Sequence, residues 1–132
     1  MRQTHRGSCH CGLVTFEVDA DIAGVVDCNC SLCRRKGALW VAAGETDLRI
    51  LSGEKDLVLY QFNTMTAKHY SCPRCGIAPF SHPRLAPGKW VVNARCIDGL
   101  DLAKLPVRTF DGVHWEESAQ QFLAELKRRA PG

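Results

Sequence analysis

The stretches that decide the fold are two short cysteine motifs, Cys9-His10-Cys11-Gly12 and Cys72-Pro73-Arg74-Cys75-Gly76. Two cysteines separated by one or two residues can direct their sulfurs at one ion, and tetrahedral zinc needs two such turns. Glycine after the second cysteine permits a positive φ, which lets backbone N–H groups turn toward the sulfurs. The spacing therefore predicts one closed, structural zinc site formed by four residues, Cys9, Cys11, Cys72 and Cys75.

A third motif, Cys28-Asn29-Cys30-Ser31-Leu32-Cys33, offers only three sulfurs. Three protein ligands with an open fourth position are the coordination expected of a catalytic zinc. Two other interpretations stay open: Cys96 completes a second closed site, or one of the three is a buried thiol. Cys96 follows an apolar stretch, where a lone cysteine usually behaves as a small buried hydrophobe.

Length, composition and charge exclude several other classes of protein. The chain has 132 residues, eight of them cysteine, and a net charge of +3. This length predicts one domain, residues 1–132, with its own core. The charge is too small for a dedicated nucleic-acid binder, and no apolar run of about 18 residues is present to cross a membrane. With no apolar signal-peptide core at the start we expect a cytoplasmic protein, whose clustered thiols bind metal rather than form disulfides.

Hydrophobic periodicity predicts a mainly β domain. Val14, Phe16 and Val18 alternate with polar residues, as in a half-buried strand, and further strands are predicted at 39–43, 48–50, 57–62 and 90–94. The period changes to helical at residues 116–129, with apolar residues at Ala119, Phe122, Leu123 and Leu126. Glu116 and Glu117 suit the start of this helix, and the basic residues 127–129 suit its end, with Pro131 beyond.

The ordered cysteine motifs, with Gly7-Ser8 before the first and Arg34-Arg35-Lys36-Gly37 after the middle one, resemble the glutathione-dependent formaldehyde-activating enzyme family. The resemblance runs from about Gly7 to Trp115, and Val92-Asn93-Ala94-Arg95-Cys96 is similar to a late strand of the family. It implies small packed antiparallel sheets in a core at about 7–115, which the helix predicted from periodicity at about 116–129 follows. It also implies two zinc ions, the structural one on Cys9, Cys11, Cys72 and Cys75, and the one associated with activity on Cys28, Cys30 and Cys33.

The function implied by the resemblance is that of a carbon–sulfur lyase acting on S-hydroxymethylglutathione or a similar adduct. On this hypothesis the substrate thiol, such as glutathione, binds as a thiolate at the open position of the second zinc. Arg34, Arg35 and Lys36 then balance the negative charge or bind the carboxylates of the substrate. A solvated basic turn is the alternative for these three residues.

Two other functions remain open at this stage. One is a non-catalytic zinc-binding module that binds a partner protein, and the other is a redox protein in which Cys72 and Cys75 form a dithiol. His10 and His69 lie close to the motifs and are candidates to contact ligand residues, but no histidine is assigned as a general acid or base. A homodimer is compatible with the sequence, since two-fold dimers are common among small enzymes.

Overall fold

The computed structural model describes residues 1–129, which contain ten β-strands and two α-helices. The strands are β1 (Gln3–Ser8), β2 (Thr15–Ala20), β3 (Val25–Cys28), β4 (Trp40–Ala43), β5 (Leu48–Ser52), β6 (Val58–Tyr60), β7 (Lys68–Ser71), β8 (Phe80–His82), β9 (Trp90–Asn93) and β10 (Val107–Phe110). The helices are α1 (Cys33–Lys36) and α2 (Trp115–Arg129). Pro131, predicted to follow the last helix, lies outside the described residues.

Strands β1, β2 and β5 form an antiparallel three-stranded sheet, with β2 in the centre. Alternation along β2 buries Phe16, Val18 and Ala20, while Glu17 and Asp19 face the other side of the sheet. Both carboxylates there pair with Arg49 on β5. The polar face of β2 is thus neutralised within the sheet, and its apolar face is free to pack into the core.

The other seven strands form one sheet in the order β10-β3-β4-β9-β8-β7-β6. Its neighbouring strands pair antiparallel except β10 and β3, which are parallel and align Phe110 with Cys28. This one parallel pair brings the chain that follows β10 to the middle cysteine motif. It is therefore the connection that positions the candidate site.

The two sheets share one core. Phe16 of the small sheet meets Phe80 of the large sheet edge to face, with 5.7 Å between ring centroids. Val14, Val18 and Val92 are also completely buried in this core, which includes the thiols of Cys9 and Cys72. Burial of a side chain of this size contributes roughly 1.5–3 kcal/mol, so these contacts are the main force that holds the sheets together.

The predicted fold class is confirmed: the protein is mainly β, with antiparallel sheets, a C-terminal helix and two cysteine clusters. All five predicted strands and the last helix are present, the helix starting at Trp115. Five strands were not predicted: β1, β3, β7, β8 and β10. Among residues 1–129, no helix has the length and apolar character needed to cross a membrane.

Candidate metal centres and the cleft above them

The structure brings Cys9, Cys11, Cys72 and Cys75 together, with all four sulfurs within 4.8 Å of one another. The Sγ atoms of Cys9 and Cys11 are 3.7 Å apart, and those of Cys11 and Cys72 are 3.6 Å apart. A tetrahedron with zinc–sulfur bonds of about 2.3 Å has sulfur–sulfur edges of about 3.8 Å, whereas a disulfide bond is about 2.05 Å. The four free thiols therefore fit one tetrahedral metal ion and are too far apart to be disulfide-bonded.

Two turns position these sulfurs. Cys9 and Cys11 lie between β1 and β2, and Cys72 and Cys75 directly follow β7. Gly12 and Gly76 have φ values of 83° and 77°, the left-handed conformation that glycine adopts without strain. The backbone of Val14 donates a hydrogen bond to Cys9 Sγ at 3.3 Å, and a backbone hydrogen bond from Ile77 lowers the pKa of Cys75 to about 6. The turns therefore present N–H groups to the sulfurs of Cys9 and Cys75, and these hydrogen bonds favour the thiolate form that binds a metal.

The sulfurs of Cys28, Cys30 and Cys33 form a second group, again within 4.8 Å of one another. The group spans the end of β3 and the start of α1, where the backbone N–H of Cys33 donates to Cys30 Sγ at 3.3 Å. Hydrogen bonds from Cys28 and Cys33 lower the pKa of Cys30 to about 2, while Cys30 raises the pKa of Cys28. Cys30 therefore ionises readily, and its ionisation makes that of Cys28 less favourable. Such coupling is expected for sulfurs that are placed to share one cation.

No fourth cysteine, histidine or carboxylate joins this group within residues 1–129. Cys96 lies elsewhere, buried in the core that contains Cys9 and Cys72. Burial raises the pKa of Cys96 to about 11, and the nearby charges of Cys9 and Cys75 add to the effect. Cys96 is therefore a neighbour of the four-sulfur group and does not join the three-sulfur group.

The segment after β10 lies against the three-sulfur group, a contact that the sequence did not reveal. Asn29 connects the two, donating from Nδ2 to Asp111 Oδ1 at 3.1 Å and accepting at Oδ1 from the backbone of Val113 at 3.2 Å. A Cβ atom on Gly112 would lie 2.6 Å from Cys28 Sγ and 2.7 Å from Cys30 Cβ. Glycine is therefore needed here because of close approach. An Asp-Gly pair in a sequence indicates a turn, not a contact with a residue 82 positions earlier in the chain.

Of the three basic residues that follow Cys33, Lys36 is the one that turns inward. Its Nζ donates to His69 Nδ1 at 3.4 Å and lies 5.2 Å from the centre of the Trp40 ring. Burial, together with the charge of Lys36, lowers the pKa of His69 to about 4. Of the two histidines that lie close to the cysteine motifs in the sequence, His69 is half-buried and His10 is exposed.

Arg34 and Arg35 are both exposed, and neither lines the cleft described below. The guanidinium of Arg35 donates to the carbonyl of Ser31 at 2.8 Å. Ser31 itself lines the cleft, so Arg35 lies at its edge.

A cleft of about 970 Å³ opens above the three-sulfur group, with Cys28, Cys30 and Cys33 in its lining. Its walls come from the large sheet, the connection between β8 and β9, and α2. Six aromatic side chains line it: Trp40, Phe62, Trp90, Phe110, Trp115 and Phe122. A volume at the upper end of the range for small-molecule sites, with three sulfurs at one place in the wall, makes this cleft the candidate binding site.

Comparison with known proteins agrees with this geometry. Residues 4–112 match the sequence model of a family described as glutathione-dependent formaldehyde-activating enzyme. A protein of Rhodobacter sphaeroides, solved as a structural-genomics target, is 40% identical and superimposes with a TM-score of 0.72. That match covers 78% of this chain and 99% of the other. Helix α2 begins after the residues that match the family model.

Proposed function

Because the chain belongs to the glutathione-dependent formaldehyde-activating enzyme family, we propose that it is a zinc-dependent carbon–sulfur lyase. Its substrate would be the adduct of a glutathione-type thiol with a small aldehyde, similar to S-hydroxymethylglutathione. One observation carries this proposal: three cysteine sulfurs within 4.8 Å of one another line a cleft of about 970 Å³. A structural metal site has no need of such access, whereas a catalytic one requires it.

The proposal assigns one zinc ion to each group of sulfurs. Cys9, Cys11, Cys72 and Cys75 would hold the structural ion, and Cys28, Cys30 and Cys33 the catalytic one. Thiolate sulfur suits zinc, and the sulfur–sulfur distances in the first group fit its tetrahedral geometry. When bound at the second group, zinc supplies a Lewis acid that keeps a substrate thiol ionised at neutral pH.

The reaction requires no oxidant. In cleavage, the carbon–sulfur bond of the adduct breaks and its electron pair stays on sulfur. The hydroxyl group loses its proton to solvent, and the pair from the O–H bond forms the carbonyl of the aldehyde. Charge develops on sulfur, so a cation beside the three-sulfur group assists the step in either direction.

Lys36 is placed to supply that cation. It lies between Trp40 and His69, where burial lowers the pKa of Lys36 and the nearby thiolates of Cys33 and Cys30 oppose that effect. A charge held in a half-buried position acts more strongly than the same charge in water. Arg34 and Arg35 remain proposed binding groups for the carboxylates of the thiol, with Arg35 supported by its place at the edge of the cleft.

We propose that the protein acts in a reducing, cytoplasmic compartment, because both groups of sulfurs must remain free thiols or thiolates to bind metal. Glutathione is abundant in such a compartment and is the thiol in the description of the family.

The test combines metal content with turnover. Purified wild-type protein should contain two zinc equivalents by mass spectrometry and should accelerate the exchange of S-hydroxymethylglutathione, measured by NMR. Cys30→Ala should keep one zinc and its circular dichroism spectrum while losing turnover. Loss of both ions with unfolding would contradict the separate sites. Two zinc ions without turnover would favour the alternative, a zinc-binding module that binds a partner protein.

A further inference from the structure

The cleft is larger and more apolar than a one-carbon aldehyde requires. Formaldehyde contributes a single carbon to its adduct, whereas the cleft measures about 970 Å³ and has six aromatic side chains in its walls. Aromatic walls provide apolar area and ring faces, which a hydroxymethyl group is too small to cover. A ligand that fills this cleft must therefore carry an apolar group larger than the hydroxymethyl group.

Glutathione alone does not match the chemistry of these walls. It carries two carboxylates and two peptide groups, which need cations and hydrogen-bond partners. Among residues 1–129, the lysine and arginine residues in the lining are Arg84 and Lys89, and His114, which also lines the cleft, pairs with Asp111 at 2.9 Å. The Arg84 guanidinium already stacks 3.8 Å from the Trp115 ring centre and pairs with Glu116 at 4.0 Å. The charged part of a thiol substrate is therefore better placed at the edge, near Arg35, than along the aromatic walls.

Helix α2 supplies much of the apolar wall. Trp115, Phe122, Leu123 and Leu126 all line the cleft. Leu123 and Leu126 are 49% and 46% exposed, so a ligand against them would remove apolar surface from water. In the usual packing of an amphipathic helix, such residues face the protein's own core.

This wall is held in position at both ends. Phe122 packs edge to face on Phe110 of β10 at 6.1 Å, and Arg108 stacks over Phe122 at 4.5 Å and pairs with Glu125. At the other side, Arg84 holds Trp115 and Glu116 to the connection between β8 and β9. A wall fixed in this way presents a preformed surface, which lowers the entropic cost of binding a ligand.

We propose that the preferred substrate is a thiol adduct of an apolar aldehyde, one whose carbonyl carbon carries an aromatic or long aliphatic group. The apolar group would lie against α2 and the tryptophans, and the hydroxyl-bearing carbon and sulfur would lie at Cys28, Cys30 and Cys33. Cleavage is then RS–CH(OH)–R′ to RSH and R′CHO, with the same balance of bonds, protons and electrons as above. As an assignment of substrate, this inference rests on the proposed lyase function.

The test measures binding without turnover. All three tryptophans of the chain line the cleft, so ligand binding can be followed by their fluorescence. Three stable thioethers serve as probes: S-methylglutathione, S-hexylglutathione and S-benzylglutathione. Burial of a six- or seven-carbon apolar group predicts about tenfold to a hundredfold tighter binding of the last two than of the first. Comparison of hexyl with benzyl distinguishes an aliphatic from an aromatic preference.

Two matched variants test whether the preference for apolar probes depends on the cleft wall. Leu123→Ser removes an apolar side chain from the cleft wall, and Leu51→Ser removes one of similar exposure, 51%, from β5 outside the cleft. The preference for the apolar probes should fall several-fold in Leu123→Ser and stay unchanged in Leu51→Ser. Equal binding of all three probes, or an undiminished preference in Leu123→Ser, would overturn the inference.

The binding test of this inference and the turnover test of the proposed function can give opposite results. Turnover of S-hydroxymethylglutathione without any apolar preference would leave the lyase proposal standing and refute this inference. An apolar preference that Leu123→Ser diminishes, in a protein that cleaves no adduct, would support the cleft's specificity and refute the lyase.

Discussion

Gly112 lies directly against Cys28, so close that a methyl group on its α-carbon would be 2.6 Å from the cysteine sulfur. The two residues are far apart in sequence and meet because β10 runs parallel to β3. The metal-binding geometry of the middle motif therefore depends on a residue that carries no functional group.

Gly112→Ala should damage the three-sulfur group specifically. The added methyl group must displace Cys28 or the segment 110–113, and overpacking of this kind costs about 1–3 kcal/mol. We expect loss of about one metal equivalent and of thiol binding, measured by mass spectrometry and fluorescence titration. Gly88→Ala is the control, because an added Cβ there meets no atom within 4 Å. Full metal content in Gly112→Ala would show that the contact has no influence on the site.

Cys72→Ser should prevent folding, because the four-sulfur group joins two distant turns in the core. Structural zinc contributes on the order of 10 kcal/mol, about as much as the total stability of a small domain. We expect loss of cooperative thermal unfolding, followed by circular dichroism. Cys96→Ser alters a thiol buried in the same core and should keep both metal ions. Loss of a metal ion from Cys96→Ser would mean that Cys96 is itself a ligand.

Lys36→Met should weaken binding of a thiolate while leaving the fold intact. Methionine keeps the apolar part of the side chain beside Trp40 but removes the charge next to the three sulfurs. The expected loss of thiol affinity is on the order of tenfold, as for removal of one partly buried charge. Lys55→Met, which removes an exposed cation from the turn at 54–56 outside the cleft, tests for a general effect of charge. Equal losses in the two variants would argue against a local role for Lys36.

The carboxylates of the small sheet should contribute a pH-dependent part of the stability. Hydrogen bonds from Arg49, at 2.9 and 3.0 Å, lower the pKa of Asp19, and Arg2 lowers the pKa of Asp47. Since the folded-state pKa is below the unfolded value of about 3.9, this stabilisation is present above that value and is lost as pH falls further.

Asp19→Asn should therefore be less stable than wild type at pH 7, and the gap in the free energy of unfolding should begin to narrow below about pH 4 and close only at still lower pH. Urea unfolding across this range measures it, and Asp56→Asn, on an exposed turn, supplies the baseline. Added salt should also narrow the gap, because these ion pairs are near the surface. A gap that is independent of pH would assign the effect of Asp19 to packing instead.

The sequence was informative where the relevant interactions are local. Cysteine spacing predicted both groups of sulfurs, since each turn places its own two or three ligands. Alternation predicted β2 because Phe16 and Val18 share one buried face. Strand β1 was missed because Gln3–Ser8 is mostly polar and exposed, and it is a strand only through its pairing with β2.

The remaining features depend on tertiary structure. No local pattern indicates that β10 lies parallel to β3, so the contact of Gly112 with Cys28 could not be predicted. Nor does a run of three basic residues show which one faces inward. One short helical turn directs Lys36 toward Trp40 and leaves Arg34 and Arg35 at the surface.

The four-sulfur group also has a consequence for the unfolded chain. Its two turns are 61 residues apart, measured from Cys11 to Cys72. A metal ion shared by them closes a loop of that size, and a covalent link of the same span would reduce the entropy of the unfolded chain by about 4 kcal/mol at 25 °C. Metal coordination can thus replace a disulfide as a cross-link, and it forms without an oxidant. This cross-link would therefore be opened by removal of the metal ion, not by a reducing agent.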